Sequence, residues 1–118
     1  MNVHQPIPDS TVEEEDFFEM SNLRPKHTGL PMVIWVSHKG RARHDARVKV
    51  CRSPGDRLAI DDMAVVGVRP EPTLIEGPLD PESLKLVQKW ISLNEAALLG
   101  HWNGELDTVE LLQSLKRI

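Results

Sequence analysis

Aromatic residues and cysteine are scarce in this sequence: tyrosine is absent, cysteine occurs once, and aromatic residues make up 4% of the 118 residues. The aromatic residues are Trp35, Trp90, Trp102, Phe17 and Phe18. The single cysteine, Cys51, cannot form an intramolecular disulfide, and its apolar neighbours in a predicted strand favour a core residue over a reactive nucleophile. We therefore predict a small, aliphatic core, which a partner or a second copy in a homodimer would stabilise.

Long apolar runs are also missing. The longest ones, residues 32–36 and 63–68, fall far short of the roughly 18 residues that a membrane-spanning helix needs. Residues 1–30 do not combine a basic start, an apolar stretch and a cleavage site of small residues. We expect a cytoplasmic protein that does not insert into membranes.

Motifs for nucleotides and metals are absent as well. Neither Gly-x-x-x-x-Gly-Lys-Ser/Thr nor Gly-x-Gly-x-x-Gly occurs. No Cys-x-x-Cys or His-x-x-x-His spacing relates the possible ligands, which are Cys51, His4, His27, His38, His44 and His101. We therefore expect no metal and no cofactor.

Charge, by contrast, is abundant and segregated along the chain, whose formal net charge is -4. Residues 1–22 carry six acids and neither Lys nor Arg. Residues 23–69 have ten Lys or Arg against four acids, and residues 70–118 have four against eight. A polarised surface steers macromolecules, so this layout favours a binding function over turnover of a small molecule.

Residues 1–31 combine four prolines with the acidic cluster Glu13, Glu14, Glu15 and Asp16. Such a segment has little apolar surface to offset its ordering entropy, so we predict a flexible, disordered acidic arm. Its role is either to solubilise the chain or to dock, on a basic groove of a protein partner or over the basic segment of its own domain.

Residues 32–118 are predicted to form a single α+β domain. Apolar, β-branched runs indicate strands at 32–36, 45–52 and 63–68, with a possible short edge strand at 73–75. Asp80-Pro81 is typical of a helix start, and Asp107 with Glu110 has the spacing of a capping box. The order of elements predicts an antiparallel three- to four-stranded meander packed by two C-terminal helices.

The turn between the first two predicted strands and the strand after it hold most of the basic residues. These residues are Lys39, Arg41, Arg43, Arg47 and Lys49. Alternation places Arg47 and Lys49 on one face of the strand and Val48 and Val50 on the other. The basic side chains are either an ordinary solvated surface or a contact for phosphates or an acidic partner. The turn lacks aromatic residues that would stack on single-stranded bases.

The same turn also holds two histidines. His38 and His44 lie on opposite sides of the turn, beside Arg41 and Arg43. Such a pair would provide the general acid and base of a metal-independent ribonuclease, with the arginines stabilising the transition state. This enzyme is the alternative to a non-enzymatic function, and a purely structural module is a third class.

Residues 43–50, Arg-His-Asp-Ala-Arg-Val-Lys-Val, are followed later by Trp90-x-x-x-Asn94-x-x-x-Leu98-Leu99-x-x-Trp102-Asn103-Gly104. Over about residues 32–112 the chain resembles a family of small uncharacterised bacterial domains found in two-gene, toxin-antitoxin-like modules. The family's Pro-Pro-His-x-His pattern is reduced here to Ala42-Arg43-His44, and Arg47 stands near the place of the family's second histidine. The resemblance implies a compact α+β domain in a regulatory or mobile-element context, and no catalytic residue.

The leading hypothesis is a non-enzymatic bacterial or mobile-element regulator. It would occlude nucleic acid, or a nucleic-acid-handling protein such as a defence nuclease, through the basic turn and the acidic arm.

Overall fold

The sheet of this protein is an antiparallel meander of five strands in the order β1-β2-β3-β4-β5. The computed structural model describes residues 20–56 and 62–118. The strands are β1 (Ser21–Leu23), β2 (Ile34–Val36), β3 (Arg47–Cys51), β4 (Met63–Gly67) and β5 (Thr73–Glu76). The helices are α1 (Pro25–Thr28), α2 (Pro81–Leu93), α3 (Glu95–Trp102) and α4 (Thr108–Ser114). The predicted α+β class with C-terminal helices is confirmed, with five strands instead of three to four.

The register of the sheet aligns a fully buried row of apolar side chains across four strands. Leu23 lies opposite Ile34, which lies opposite Val50, and Val50 lies opposite Ala64. All four are 0% exposed and belong to the same buried cluster as Val87, Trp90 and Ile91 of α2. Because side chains alternate along a strand, Trp35 and Lys49 face the opposite side. The predicted alternation of β3 is thus confirmed at Val48 and Val50, which are buried.

The boundary predicted at residue 31 is wrong, because residues 20–31 contribute two elements and part of the core. Ser21–Leu23 pairs with β2 along its whole length. Pro25 begins α1, and Gly29 ends it with φ 81°, so that its N–H donates to the Pro25 carbonyl at 2.8 Å. Leu23 and Leu30 are buried. Pro25, one of the prolines that indicated a disordered segment, instead begins a one-turn helix, where a missing N–H costs nothing.

The first of the two predicted C-terminal helices, which begins after Asp80, is interrupted at Asn94. Asp80 caps α2 by accepting a hydrogen bond from Ser83 N–H, as its position before Pro81 predicted. Asn94 then has φ -117° and ψ 19°, which separates α2 from α3. The capping box of α4 is present, with Asp107 and Glu110 each accepting a hydrogen bond from the other's backbone N–H.

Asn94 also fastens the last residues to the rest of the domain. Its side-chain N–H donates to the Lys116 carbonyl at 3.0 Å, and its side-chain oxygen accepts from Lys116 N–H at 2.7 Å. Ile118 N–H donates to the Thr28 carbonyl at 2.9 Å. A Cβ at Gly29 would lie 2.6 Å from the Ile118 carbonyl oxygen, so only glycine fits at this crossing. We call residues 115–118 the C-terminal strap.

Among residues 20–56 and 62–118, no helix has the length and apolar character needed to cross a membrane.

Candidate functional site

The segment between β2 and β3, residues 37–46, carries three exposed basic side chains, and we call it the basic loop. Lys39, Arg41 and Arg43 are all exposed. Within residues 20–56 and 62–118, none of these three side chains makes a salt bridge or a hydrogen bond. The loop therefore carries three positive charges without a salt bridge among the described residues, and Asp45 interacts with Lys39 only at longer range.

Three arginines outside this group do have carboxylate partners. Arg24 Nη1 lies 3.6 Å from Asp56 Oδ1, and Arg52 Nη1 lies 3.2 Å from Asp62 Oδ1. Arg69 Nε lies 2.9 Å from Asp45 Oδ2. The three loop cations have no such partner within residues 20–56 and 62–118, and neither have Lys85 and Lys89 of α2. The loop differs in that its three cations lie within five residues of one another in the sequence.

The basic loop is anchored to the end of α3. Lys39 N–H donates to the Trp102 carbonyl at 2.7 Å. His38 donates from Nδ1 to the His101 carbonyl at 2.6 Å, and the two imidazole rings stack with centroids 4.2 Å apart. His44 lies against Trp102, with ring centroids 5.5 Å apart. Two neighbouring residues of one helix thus hold both sides of the loop.

The end of the loop that leads into β3 is fixed by Asp45. Its carboxylate accepts a hydrogen bond from Ala46 N–H at 2.8 Å and a forked pair from Arg69 Nε and Nη2. The hydrogen bonds from Arg69 and from the Ala46 backbone lower the pKa of Asp45 below its usual value. The same contact raises the pKa of Arg69. Asp45 therefore stays ionised and neutralised by Arg69.

His101, the residue beneath the loop, is a buried polar residue with 2% exposure. Its Nε2 lies 3.3 Å from Thr108 Oγ1, which lies 2.8 Å from Ser21 Oγ. Burial lowers the pKa of His101, and the facing ring of His38 lowers it further, against weaker raising effects of the Ser37 backbone and Asp107. His101 is thus a neutral support that links the loop to α4 and β1.

The structure divides the predicted basic residues between two surfaces. Lys39, Arg41 and Arg43 belong to the loop, whereas Arg47 and Lys49 are half-buried residues of β3. Lys49 lies opposite Trp35 on the outer face of the sheet. The sequence predicted one surface for these five residues, because it shows their spacing along the chain but not where the chain leaves the loop and enters β3. The acidic cluster Glu13, Glu14, Glu15 and Asp16 lies outside the described residues.

Each of the two loop histidines contacts α3. His38 stacks on His101 and His44 contacts Trp102, so both rings lie at the same end of that helix. From the sequence, the contact of His101 with the loop was not predicted, and His101 was named only among histidines that lack metal-ligand spacing. Its position in a helical apolar pattern, directly before Trp102, is the signal that it would be buried.

Within the described ranges, no three His, Cys, Asp or Glu side chains are grouped so that they could hold a metal ion. Two surface cavities, of about 350 and 470 Å³, are lined by residues outside the basic loop. Cys51 is buried, as predicted for a core residue.

Comparisons with protein families, with curated proteins and with solved structures found no match to this chain. The resemblance to small bacterial domains therefore remains a prediction from the motifs.

Proposed function

We propose that this protein is a non-enzymatic binding and regulatory protein that occludes nucleic acid through the basic loop. The observation that supports this function is the group of three exposed cations, Lys39, Arg41 and Arg43, without a carboxylate partner among the described residues. Phosphate groups on a nucleic acid backbone are the ligands that such a group favours.

The anchoring of the loop supports the same proposal. Hydrogen bonds and ring contacts to His101 and Trp102 hold both sides of the loop, and the Asp45–Arg69 pair fixes the end that leads into β3. A loop that is already ordered loses less conformational entropy when it binds, so more of the electrostatic attraction is kept as affinity.

The acidic net charge of the chain does not oppose a local contact of this kind. The Debye length is about 8–10 Å at 0.1–0.15 M salt, so charges farther away are largely screened. A phosphate in contact with Arg41 or Arg43 is therefore attracted mainly by the loop itself. We expect dissociation constants in the micromolar range, as for contacts made to phosphates alone.

The test is fluorescence anisotropy with a labelled 20-base-pair DNA duplex and a 20-nucleotide single-stranded RNA over a series of salt concentrations. Three phosphate contacts predict a slope of log K against log salt of about -2 to -3. The double variant Arg41→Gln/Arg43→Gln should reduce the magnitude of that slope by about 1.4–1.8.

The matched control is Lys85→Gln/Lys89→Gln, which removes two exposed charges from α2. This control should bind both probes like the wild type. Equal binding by the loop variant and the wild type would contradict the proposal and favour a purely structural module.

A nucleic-acid-handling protein, such as a defence nuclease, is the alternative partner, which the acidic cluster at residues 13–16 would contact. Capture of partners from a bacterial lysate, with and without nuclease treatment, distinguishes contact with nucleic acid from direct contact with such a protein. Loss of the partner after nuclease supports the nucleic acid contact, and a partner that survives nuclease indicates direct protein contact.

The second candidate is a metal-independent ribonuclease. The observation in its favour is that His38 and His44 contact adjacent residues of α3 while the loop carries Arg41 and Arg43. If this candidate is correct, the protein cleaves RNA between pH 5 and 8, and His44→Ala abolishes cleavage without unfolding the domain. Intact RNA across that range rejects the ribonuclease.

A further inference from the structure

The two histidines of the basic loop share a fixed arrangement of ring nitrogens. His38 Nδ1 lies 2.6 Å from the His101 carbonyl oxygen, and His44 Nδ1 lies 2.9 Å from the Asp45 carbonyl oxygen. A carbonyl oxygen only accepts hydrogen bonds, so each Nδ1 carries a hydrogen. Nε2 is then the nitrogen that gains the second proton, and no residue in 20–56 or 62–118 forms a hydrogen bond with it.

We propose that Nε2 of His38 and Nε2 of His44 provide two further phosphate contacts, which form when the imidazole rings are protonated. This inference rests on the proposed function of the basic loop as a nucleic acid contact. A neutral Nε2 presents a lone pair to a phosphate oxygen, whereas a protonated Nε2 donates a charge-assisted hydrogen bond to it. The site therefore has five cations instead of three when both rings are protonated.

Protonation leaves the anchoring of the loop intact. The hydrogen bond from Nδ1 to the carbonyl oxygen is present in both the neutral and the charged ring, and the charge strengthens it. His27 has the opposite arrangement, because its Nδ1 accepts a hydrogen bond from Arg24 N–H at 3.2 Å. Protonation of His27 would break that bond, so His27 provides a titratable residue with different geometry outside the loop.

The stacked pair of imidazoles takes its charge on the exposed ring. His101 is 2% exposed, and its Nε2 is engaged with Thr108 Oγ1, whereas His38 is exposed. Burial and the neighbouring His38 both lower the pKa of His101. A neutral His101 thus stacks beneath a charged His38 without repulsion between two imidazolium rings.

Charged groups of both signs surround the loop. The cations of the loop disfavour further positive charge, the Asp45 carboxylate is neutralised by its ion pair, and one carboxylate lies at the corner before α4. These groups are Lys39, Arg41, Arg43, Asp45 with Arg69, and Asp107. A phosphate bound among the cations supplies the missing negative charge. Binding and protonation therefore favour each other, as linkage requires.

The experiment measures anisotropy with the 20-nucleotide single-stranded RNA at pH 8.0 and pH 5.5, each over a salt series. Two additional contacts predict a salt slope that is more negative by about 1.4 at pH 5.5, because each single-strand phosphate contributes about 0.7. In the double variant His38→Asn/His44→Asn, the asparagine amide replaces the donor at Nδ1 and removes the titratable Nε2. This variant should lose the difference in slope between the two pH values.

The matched control is His27→Asn, which removes a titratable histidine outside the loop and should keep the wild-type difference in slope. Equal wild-type slopes at pH 8.0 and 5.5, or a pH effect that survives in His38→Asn/His44→Asn, would overturn this inference while the proposed function stands. Arg41→Gln/Arg43→Gln binding like the wild type at pH 8.0 would instead overturn the proposed function.

A second measurement tests the inference without nucleic acid. Long-range proton–nitrogen NMR spectra of the histidine rings at pH 8.0 should show the Nδ1–H tautomer for His38 and His44 and the Nε2–H tautomer for His27. An Nε2–H tautomer at His38 or His44 would overturn the inference.

Discussion

The two connections at the ends of β3 are both rich in charge, yet they use it differently. In the turn after β3, residues 52–56, Arg52 pairs with Asp62 and Asp56 pairs with Arg24. In the basic loop before β3, Lys39, Arg41 and Arg43 have no salt bridge among the described residues. The charges of the turn after β3 stabilise the fold locally, whereas those of the basic loop are available to a partner. Charge reversal and charge removal at the two ends should therefore have different consequences.

The largest effect is expected from charge reversal in the basic loop. Arg41→Glu/Arg43→Glu replaces two attractions with two repulsions, so the affinity for the 20-nucleotide RNA at 0.1 M salt should fall by at least about a hundredfold. The melting temperature should stay close to that of the wild type, because neither side chain has a salt-bridge partner in residues 20–56 or 62–118. Anisotropy and thermal denaturation measure the two quantities. An affinity within threefold of wild type would remove the distinction between the two ends of β3.

The next effect concerns stability alone. Asn94→Ala removes three side-chain hydrogen bonds, two of which hold Lys116 in the C-terminal strap. Because these groups are buried or partly buried, the free energy of unfolding should fall by about 1–3 kcal/mol. Urea denaturation measures this loss, and the exposed Ser92→Ala on α2 is the control. RNA affinity should not change, and a parallel loss of affinity would show that the strap also positions the loop.

A smaller effect should appear as a dependence of stability on pH. The pKa of His101 is lowered in the folded state, mainly by burial, so the unfolded chain binds more protons once the pH falls below about 6.5. The stabilisation is therefore complete above that value and is lost as the pH falls toward the folded-state pKa. The melting temperature of the wild type should decrease between pH 7.5 and 5.5.

His101→Gln should decrease less over this interval than the wild type does, because it removes the titrating ring. Both proteins are compared by thermal denaturation in the same buffers. An equal decrease in the two proteins would assign the pH dependence to other groups.

The smallest effect is expected at the turn after β3. Arg52→Gln breaks the 3.2 Å ion pair between Arg52 Nη1 and Asp62 Oδ1. The side chain of Arg52 is 42% exposed and that of Asp62 is 38% exposed. Exposed ion pairs contribute little to stability, so the free energy of unfolding should change by less than about 1 kcal/mol. RNA affinity should stay within twofold of wild type in the anisotropy measurement. A loss comparable to that of the loop variant would extend the binding surface to this end of β3.

Local patterns predicted those elements whose stability depends on neighbours in the sequence. The alternation of Val48 and Val50 predicted β3, and Asp80 before Pro81 predicted the start of α2. In contrast, β1 was missed, because three residues carry too little periodicity to indicate a strand. It forms only because β2 offers it a paired edge and Leu23 reaches the core.

The candidate site was predicted in part. Lys39, Arg41 and Arg43 were assigned from composition, since charged residues in a turn remain at the surface. The supports were not predicted: His101 and Trp102 lie more than fifty positions later in the sequence, and nothing local relates them to His38 and His44. Only the packing of α3 against the loop brings them together.

The sequence by itself determined the segregation of charge along the chain, which is a matter of composition. It also determined the strand and helix periods of residues 32–118 and the caps at Asp80 and Asp107, because these depend on interactions between residues close in the sequence. The tertiary structure decided that Arg47 and Lys49 leave the loop surface, that Asn94 ends α2 and holds the C-terminal strap, and that His38 stacks on His101. These outcomes depend on burial and on partners distant in sequence, since a buried polar group is stable only where a hydrogen-bond partner meets it.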